Sequence, residues 1–218
     1  MPRAPRIKDA GFLHHVISLG NDRQPLFKST ADFQTYIDLL EEGRKKYPLK
    51  IYNFVLMTNH VHLLIEPTAD GNLSKFMEMV SKNYAKYFNK KYDRIGHVFQ
   101  GRFKSFLIQE DRYYFACTRY IDLNPFKAAI VSDPKDYMWS GFGGLAYGQK
   151  RALKLDIHVL YEDLGSTEQE RQIAYRTLVL RYQGEELDLM KKRAGILGDR
   201  AFRRQFKESY AKRKIENV

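Results

Sequence analysis

Two histidines one residue apart, His60 and His62 in NHVHLLIEP, have the clearest capacity for chemistry in this chain. They follow a polar Thr58-Asn59 pair that separates two apolar, β-branched runs, at about 50–57 and 60–66, which is a hairpin pattern. Side chains alternate faces along a strand, so both imidazoles point the same way, roughly 6–7 Å apart at Cα. Two imidazoles on one face of a rigid strand can converge on a single divalent cation. Alone, such a pair is more often a surface or hydrogen-bonded pair than a ligand set. A second constellation lies in RYIDLNP, where Tyr120 and Asn124 are four apart and share one helix face. One helix thus offers a hydroxyl nucleophile and an amide oxygen, and one strand offers two imidazoles.

The elements that must position these groups follow in order. Residues 1–10 read as a basic flexible arm, and Phe12 to Leu19 as a strand whose His14 and His15 point to opposite faces. At most one of those two can face a site, and a structural role is the default for both. A helix capped by Ser29 or Thr30 carries Phe33, Tyr36, Ile37 and Leu40 as its apolar stripe and ends at Pro48. The hairpin follows, then a helix from about Leu73 to Tyr92, buried through Leu73, Phe76, Met77, Val80, Tyr84, Tyr87 and Phe88. Its other face bears Lys75, Lys82, Lys86, Lys90 and Lys91 with few balancing acids, which points to phosphate contact. A strand at about 103–109 completes a β-α-β-β-α-β order. That order predicts an α+β, ferredoxin-like (RRM-like) antiparallel sheet of four strands with both helices on one face. The helix capped by Asp111, running through Tyr120 to Asn124 and stopped by Pro125, should cover the other face. Tyr137, Met138, Trp139 and Phe142 read as packing anchors. The expected organisation is a 1–10 arm, an 11–150 domain that holds both constellations and a 151–218 basic helical extension.

The net charge of +11 over 218 residues favours a polyanionic partner, nucleic acid first. The stretch from Lys191 onward contributes ten Lys or Arg against three acids. A single cysteine, Cys117, excludes an internal disulfide and suits a reducing compartment. No apolar run is long enough to span a membrane, and the N-terminal stretch lacks a signal-peptide core. The expectation is a soluble, cytoplasmic, nucleoid-associated protein.

NHVHLLIEP, GHVFQGRFKS and RYIDLNP, in that order between about Gly11 and Gly144, resemble the HUH single-strand endonucleases. More specifically they resemble the REP-associated tyrosine transposases, relatives of the single-tyrosine transposases of small insertion sequences. The resemblance implies Tyr120 as catalytic nucleophile, with Mg²⁺ or Mn²⁺ held by His60, His62 and Asn124. Asparagine stands at Asn124 where the mobile insertion-sequence enzymes usually place glutamine. His97, Gln100, Arg102 and Lys104 are implied near bound DNA. Arg119 beside the nucleophile and Lys82 on the basic helix face are further candidates for phosphate contact. The implied partner is single-stranded or hairpin DNA of the repetitive extragenic palindrome type, and the implied state is a monomer rather than a dimer. Attack by Tyr120 would exchange one phosphoester for another, giving a 5′-phosphotyrosine and a free 3′-OH and allowing strand transfer without ATP. Two alternatives stay open. One is an inactive nucleic-acid binder on the same frame, which predicts aromatics such as Tyr52 and Phe54 on an open sheet face. The other is a water-using metal phosphodiesterase, for which Glu66 and Asp122 are the nearby acids.

Overall fold

The computed structural model describes residues 10–181, 195–206 and 208. The chain runs β1 (His14–Leu19), α1 (Thr30–Lys46), β2 (Leu49–Met57), β3 (His60–Pro67), α2 (Asn72–Lys91) and β4 (Lys104–Ile108). It continues through α3 (Glu110–Asp122), α4 (Asn124–Lys127), α5 (Phe142–Tyr147), α6 (Val159–Glu162), α7 (Glu168–Leu180) and β5 (Gly195–Leu197). The strands lie in the order β2-β3-β1-β4-β5. The first four are antiparallel, as the β-α-β-β-α-β pattern requires, while β5 adds to β4 in parallel. The C-terminal extension, expected to be helical, therefore also contributes an edge strand.

Register decides which side chains share a face. Ile17 pairs with His62 and Leu19 with His60, so His15, Ile17, His60 and His62 all lie on one face. Tyr36 of α1 meets Ser18 on the opposite face and packs edge-on against Tyr84 of α2 at 5.0 Å. Helices α1 and α2 thus cover one side of the sheet and α3 the other. Asp32, fully buried, joins the two helices. It accepts from the Lys28 and Ser29 backbone N–H groups, the Tyr87 and Tyr92 hydroxyls and the Lys91 ammonium, at 2.6 to 2.9 Å. A buried carboxylate is tolerable only when so fully hydrogen-bonded. Lys91 is thereby engaged with Asp32 and is not part of an open phosphate-binding row.

A bulge in β2 changes one expectation about strand parity. Pairing with β3 shifts between Ile51 and Asn53, so both Tyr52 and Asn53 face α3 while Phe54 stays paired with Leu63 on the α1–α2 side. Tyr52 and Phe54 therefore do not form the shared aromatic platform that an RRM-like binder would need. Trp139 is core, stacked on Phe33 at 4.8 Å, and Cys117 is buried, but Met138 is 54% exposed and anchors nothing. Helix α3 begins after Gln109 rather than at an Asp111 cap, and it ends at Asp122. Pro125 does not stop the chain's helical path. It occupies the first turn of α4, where its missing N–H is not needed. The N-terminal arm up to residue 9 and most of the basic tail expected after Lys191 lie outside the described residues.

Candidate active site

The site is built where β3, β1 and the C-terminal end of α3 meet. His60 and His62 sit edge to face with ring centroids 4.9 Å apart. The Tyr120 ring stands edge-on to His62 at 5.4 Å and to His15 at 5.8 Å. Asn124, at the start of α4, donates its side-chain N–H to the Tyr120 carbonyl, which leaves the amide oxygen of Asn124 for another partner. The side chain of Asn124 also reaches His60. The four residues singled out in the sequence, His60, His62, Tyr120 and Asn124, are therefore brought together.

Each histidine is poised as a neutral base. His60 Nδ1 lies 2.7 Å from Asn59 Oδ1, an acceptor only, so its proton is on Nδ1. Burial lowers the His60 pKa to about 4, the contact with Asn124 opposing part of that fall. Burial also holds His62 well below its ordinary value, and repulsion from His15 and His60 adds to the effect. His60 Nε2 and His62 Nε2 are both buried, and neither makes a well-formed hydrogen bond. Buried polar atoms are seldom left unpaired, and two imidazole nitrogens without hydrogen-bond partners beside an amide oxygen are a donor set that fits a divalent cation. Among the described residues no three His, Cys, Asp or Glu side chains form a ligand cluster. Glu66 shares the histidines' face but bonds the Tyr52 hydroxyl instead.

Beside His60 opens a cavity of about 450 Å³ lined by Leu19, Gly20, Arg23, Asn59, His60, Gln100 and Lys104. Gly20 is required there, since a Cβ would stand 2.1 Å from the Gln24 carbonyl oxygen. Gln100, Lys104 and Arg23 thus lie around one cavity with His60. Arg102 and His97 are exposed on the same connection between α2 and β4. Two other candidates differ from these in position or exposure. Lys82 is exposed on α2, across the sheet from the histidines. Arg119 is only 7% exposed, which leaves little of its side chain open to a phosphate.

Residues absent from the sequence-based set also shape the site. His15, expected to be structural, is fully buried with Nε2 2.9 Å from His62 Nδ1. Asp122, two residues from Tyr120, accepts from Asn53 Nδ2 at 2.9 Å and from the Tyr175 hydroxyl at 2.6 Å. This buried knot ties α3 to β2 and to α7. Burial raises the Asp122 pKa to about 7, with the bonds from Tyr175 and Asn53 acting against the rise. The β2 bulge that aims Asn53 inward left no sequence signal.

The model of the family described as "Transposase IS200 like" matches residues 10–124, a span that contains all four site residues and ends on Asn124. The chain belongs to the IS200-like transposase family. As such it is a DNA-binding enzyme of the transposase kind. No curated protein matches it. Among solved structures it is similar to a REP-associated tyrosine transposase bound to a REP hairpin. The two share 22% identity over 72% of this chain and 94% of that one, with a TM-score of 0.58. That likeness confirms the fold of this IS200-like protein. A putative transposase from Deinococcus radiodurans R1 is more distant, at 17% identity over 52% of this chain and 92% of that one, with a TM-score of 0.37. Among the described residues no helix is long and apolar enough to cross a membrane.

Proposed function

We propose that this IS200-like protein is a REP-associated tyrosine transposase that cleaves and rejoins single-stranded DNA at hairpins through Tyr120. The observation that carries the reading is the position of the Tyr120 ring, 5.4 Å from that of His62, whose Nε2 is buried and unpartnered. The hairpin comes from the structurally similar transposase, which was solved with a REP hairpin bound.

In this reading the Tyr120 phenolic oxygen attacks the scissile phosphorus. A Tyr–O–P bond forms, the bond from phosphorus to the 3′ oxygen breaks, and the proton lost by the phenol is balanced by one gained on the 3′-OH. The DNA 5′ end stays on the protein, and attack by another 3′-OH reverses the step without ATP. His60 and His62, through Nε2, and Asn124, through its amide oxygen, would hold Mg²⁺ or Mn²⁺. Such an ion supplies charge neutralisation and orientation at the phosphate. Burial keeps the histidines unprotonated and so available as ligands at neutral pH. The knot of Asp122, Asn53 and Tyr175 fixes the helix end that carries the nucleophile. Lys104, Gln100 and Arg23 around the adjoining cavity offer cationic and polar contacts to the strand on either side of the cut.

Labelled hairpin DNA incubated with the protein and Mn²⁺ and run on a denaturing gel tests this. A covalent band that disappears with EDTA, in Tyr120→Phe and in His62→Ala is expected. Cleavage that survives Tyr120→Phe would point to a water-using phosphodiesterase. Retarded DNA in a native gel without cleavage would point to a binder.

A further inference from the structure

We propose that His15 is a positioning residue that holds the proton of His62 on Nδ1 and thereby keeps His62 Nε2 bare for a divalent cation. The inference rests on the reading of His60 and His62 as ligands. Both imidazoles are fully buried, their rings lie 30° from parallel with centroids 5.0 Å apart, and His15 Nε2 is 2.9 Å from His62 Nδ1. One proton sits between these two nitrogens, and its owner determines what His62 presents to the site.

If His62 Nδ1 is the donor, His15 accepts through Nε2 and His62 Nε2 carries a lone pair. If His15 Nε2 is the donor, His62 must carry its own proton on Nε2, which turns the ligand atom into an N–H and excludes a cation. The second arrangement leaves two polar atoms unsatisfied, the His62 Nε2–H and the His15 Nδ1 lone pair, since neither has a partner. Without an ion the first likewise leaves two, the His62 Nε2 lone pair and the His15 Nδ1–H; an ion on Nε2 removes the former, so filling the site favours the first arrangement. His60 shows the same device in plainer form, with Asn59 Oδ1 able only to accept. Metal-ligating histidines commonly depend on such a partner at the second ring nitrogen. Here β1 supplies it with another imidazole, placed by the pairing of His15 with Leu64 and of Ile17 with His62.

The test combines tautomer and affinity. In ¹⁵N-labelled protein with saturating Mg²⁺, long-range ¹H–¹⁵N correlations should show His60 and His62 both protonated at Nδ1. In His15→Leu the His62 proton should move to Nε2 while His60 stays unchanged, and Mn²⁺ affinity measured by EPR should fall about 10–100-fold. His15→Gln, which keeps an acceptor, should restore most of that affinity. Protonation of His62 at Nε2 in the unsubstituted chain that has bound Mg²⁺ would overturn the proposal, even if His15→Leu fails to fold. Unchanged tautomer and affinity in His15→Leu would overturn it equally. Absence of Mn²⁺ binding by the unsubstituted chain would instead overturn the ligand reading, and the purpose given to His15 with it.

Discussion

Acidification of the metal-free protein sets the buried histidines against Asp122, and the sign and size of the result follow from their environments. His15 and His60 have folded pKa values of about 3 and about 4, against 6.5 for the unfolded chain, in both cases chiefly through burial. Below 6.5 the unfolded chain takes up protons that the native chain refuses, so these groups lower stability as pH falls. Asp122 works in the opposite direction. Its folded value of about 7 lies above the unfolded 3.8, so between those values the native chain holds the extra proton and gains stability as pH falls. Two histidines against one carboxyl leave a net of one proton, or about 1.4 kcal/mol per pH unit. From pH 6.5 to about 4.5 the protein should lose about 2 kcal/mol, and His62, shifted in the same direction, adds to the loss. Asp122→Asn keeps the shape but removes the opposing proton, and its loss over the same window should be about 4 kcal/mol or more. Urea unfolding in EDTA across that window, for both proteins, measures the two slopes. An Asp122→Asn slope equal to or shallower than that of the parent would refute the assignment, as would a parent more stable at the acid end.

Three further outcomes are expected. Tyr175→Phe removes the hydroxyl bound to Asp122 and should cost about 1–3 kcal/mol in urea unfolding, with faster amide exchange around residues 121–124. Gly43→Ala places a Cβ 2.8 Å from the Phe76 ring, and the overpacking between α1 and α2, of about 1–3 kcal/mol, should outweigh the gain in helix propensity of about 1 kcal/mol and lower Tm. Lys104→Ala, beside His60, should weaken single-stranded DNA binding and reduce the salt slope by about one, whereas Lys82→Ala across the sheet should leave cleavage unchanged.

How far the sequence reaches differs from residue to residue. The hairpin and its histidines were legible because strand alternation is local, and the i, i+4 spacing of Tyr120 and Asn124 is local too. Pairing of the first strand with the third is not, so the sequence could show that His14 and His15 diverge but not that His15 meets His62. The same limit hid the knot at Asp122, whose partners are 69 and 53 residues away. The β2 bulge reversed the parity of Tyr52, and a proline in a first helical turn reads in sequence like a stop. The lysine row on α2 could not be placed relative to the histidines from sequence, because charge on a helix face carries no information about which side of the sheet it covers.

Peptide mapping of the covalent product tests the central claim most directly. After incubation with hairpin DNA and Mn²⁺, nuclease trimming and tryptic digestion, mass spectrometry should find a 5′-phosphonucleotide on the peptide that begins at Tyr120, attached through the phenolic oxygen. A nucleotide on any other residue, or cleaved DNA with an unmodified Tyr120 peptide throughout the time course, would contradict the account.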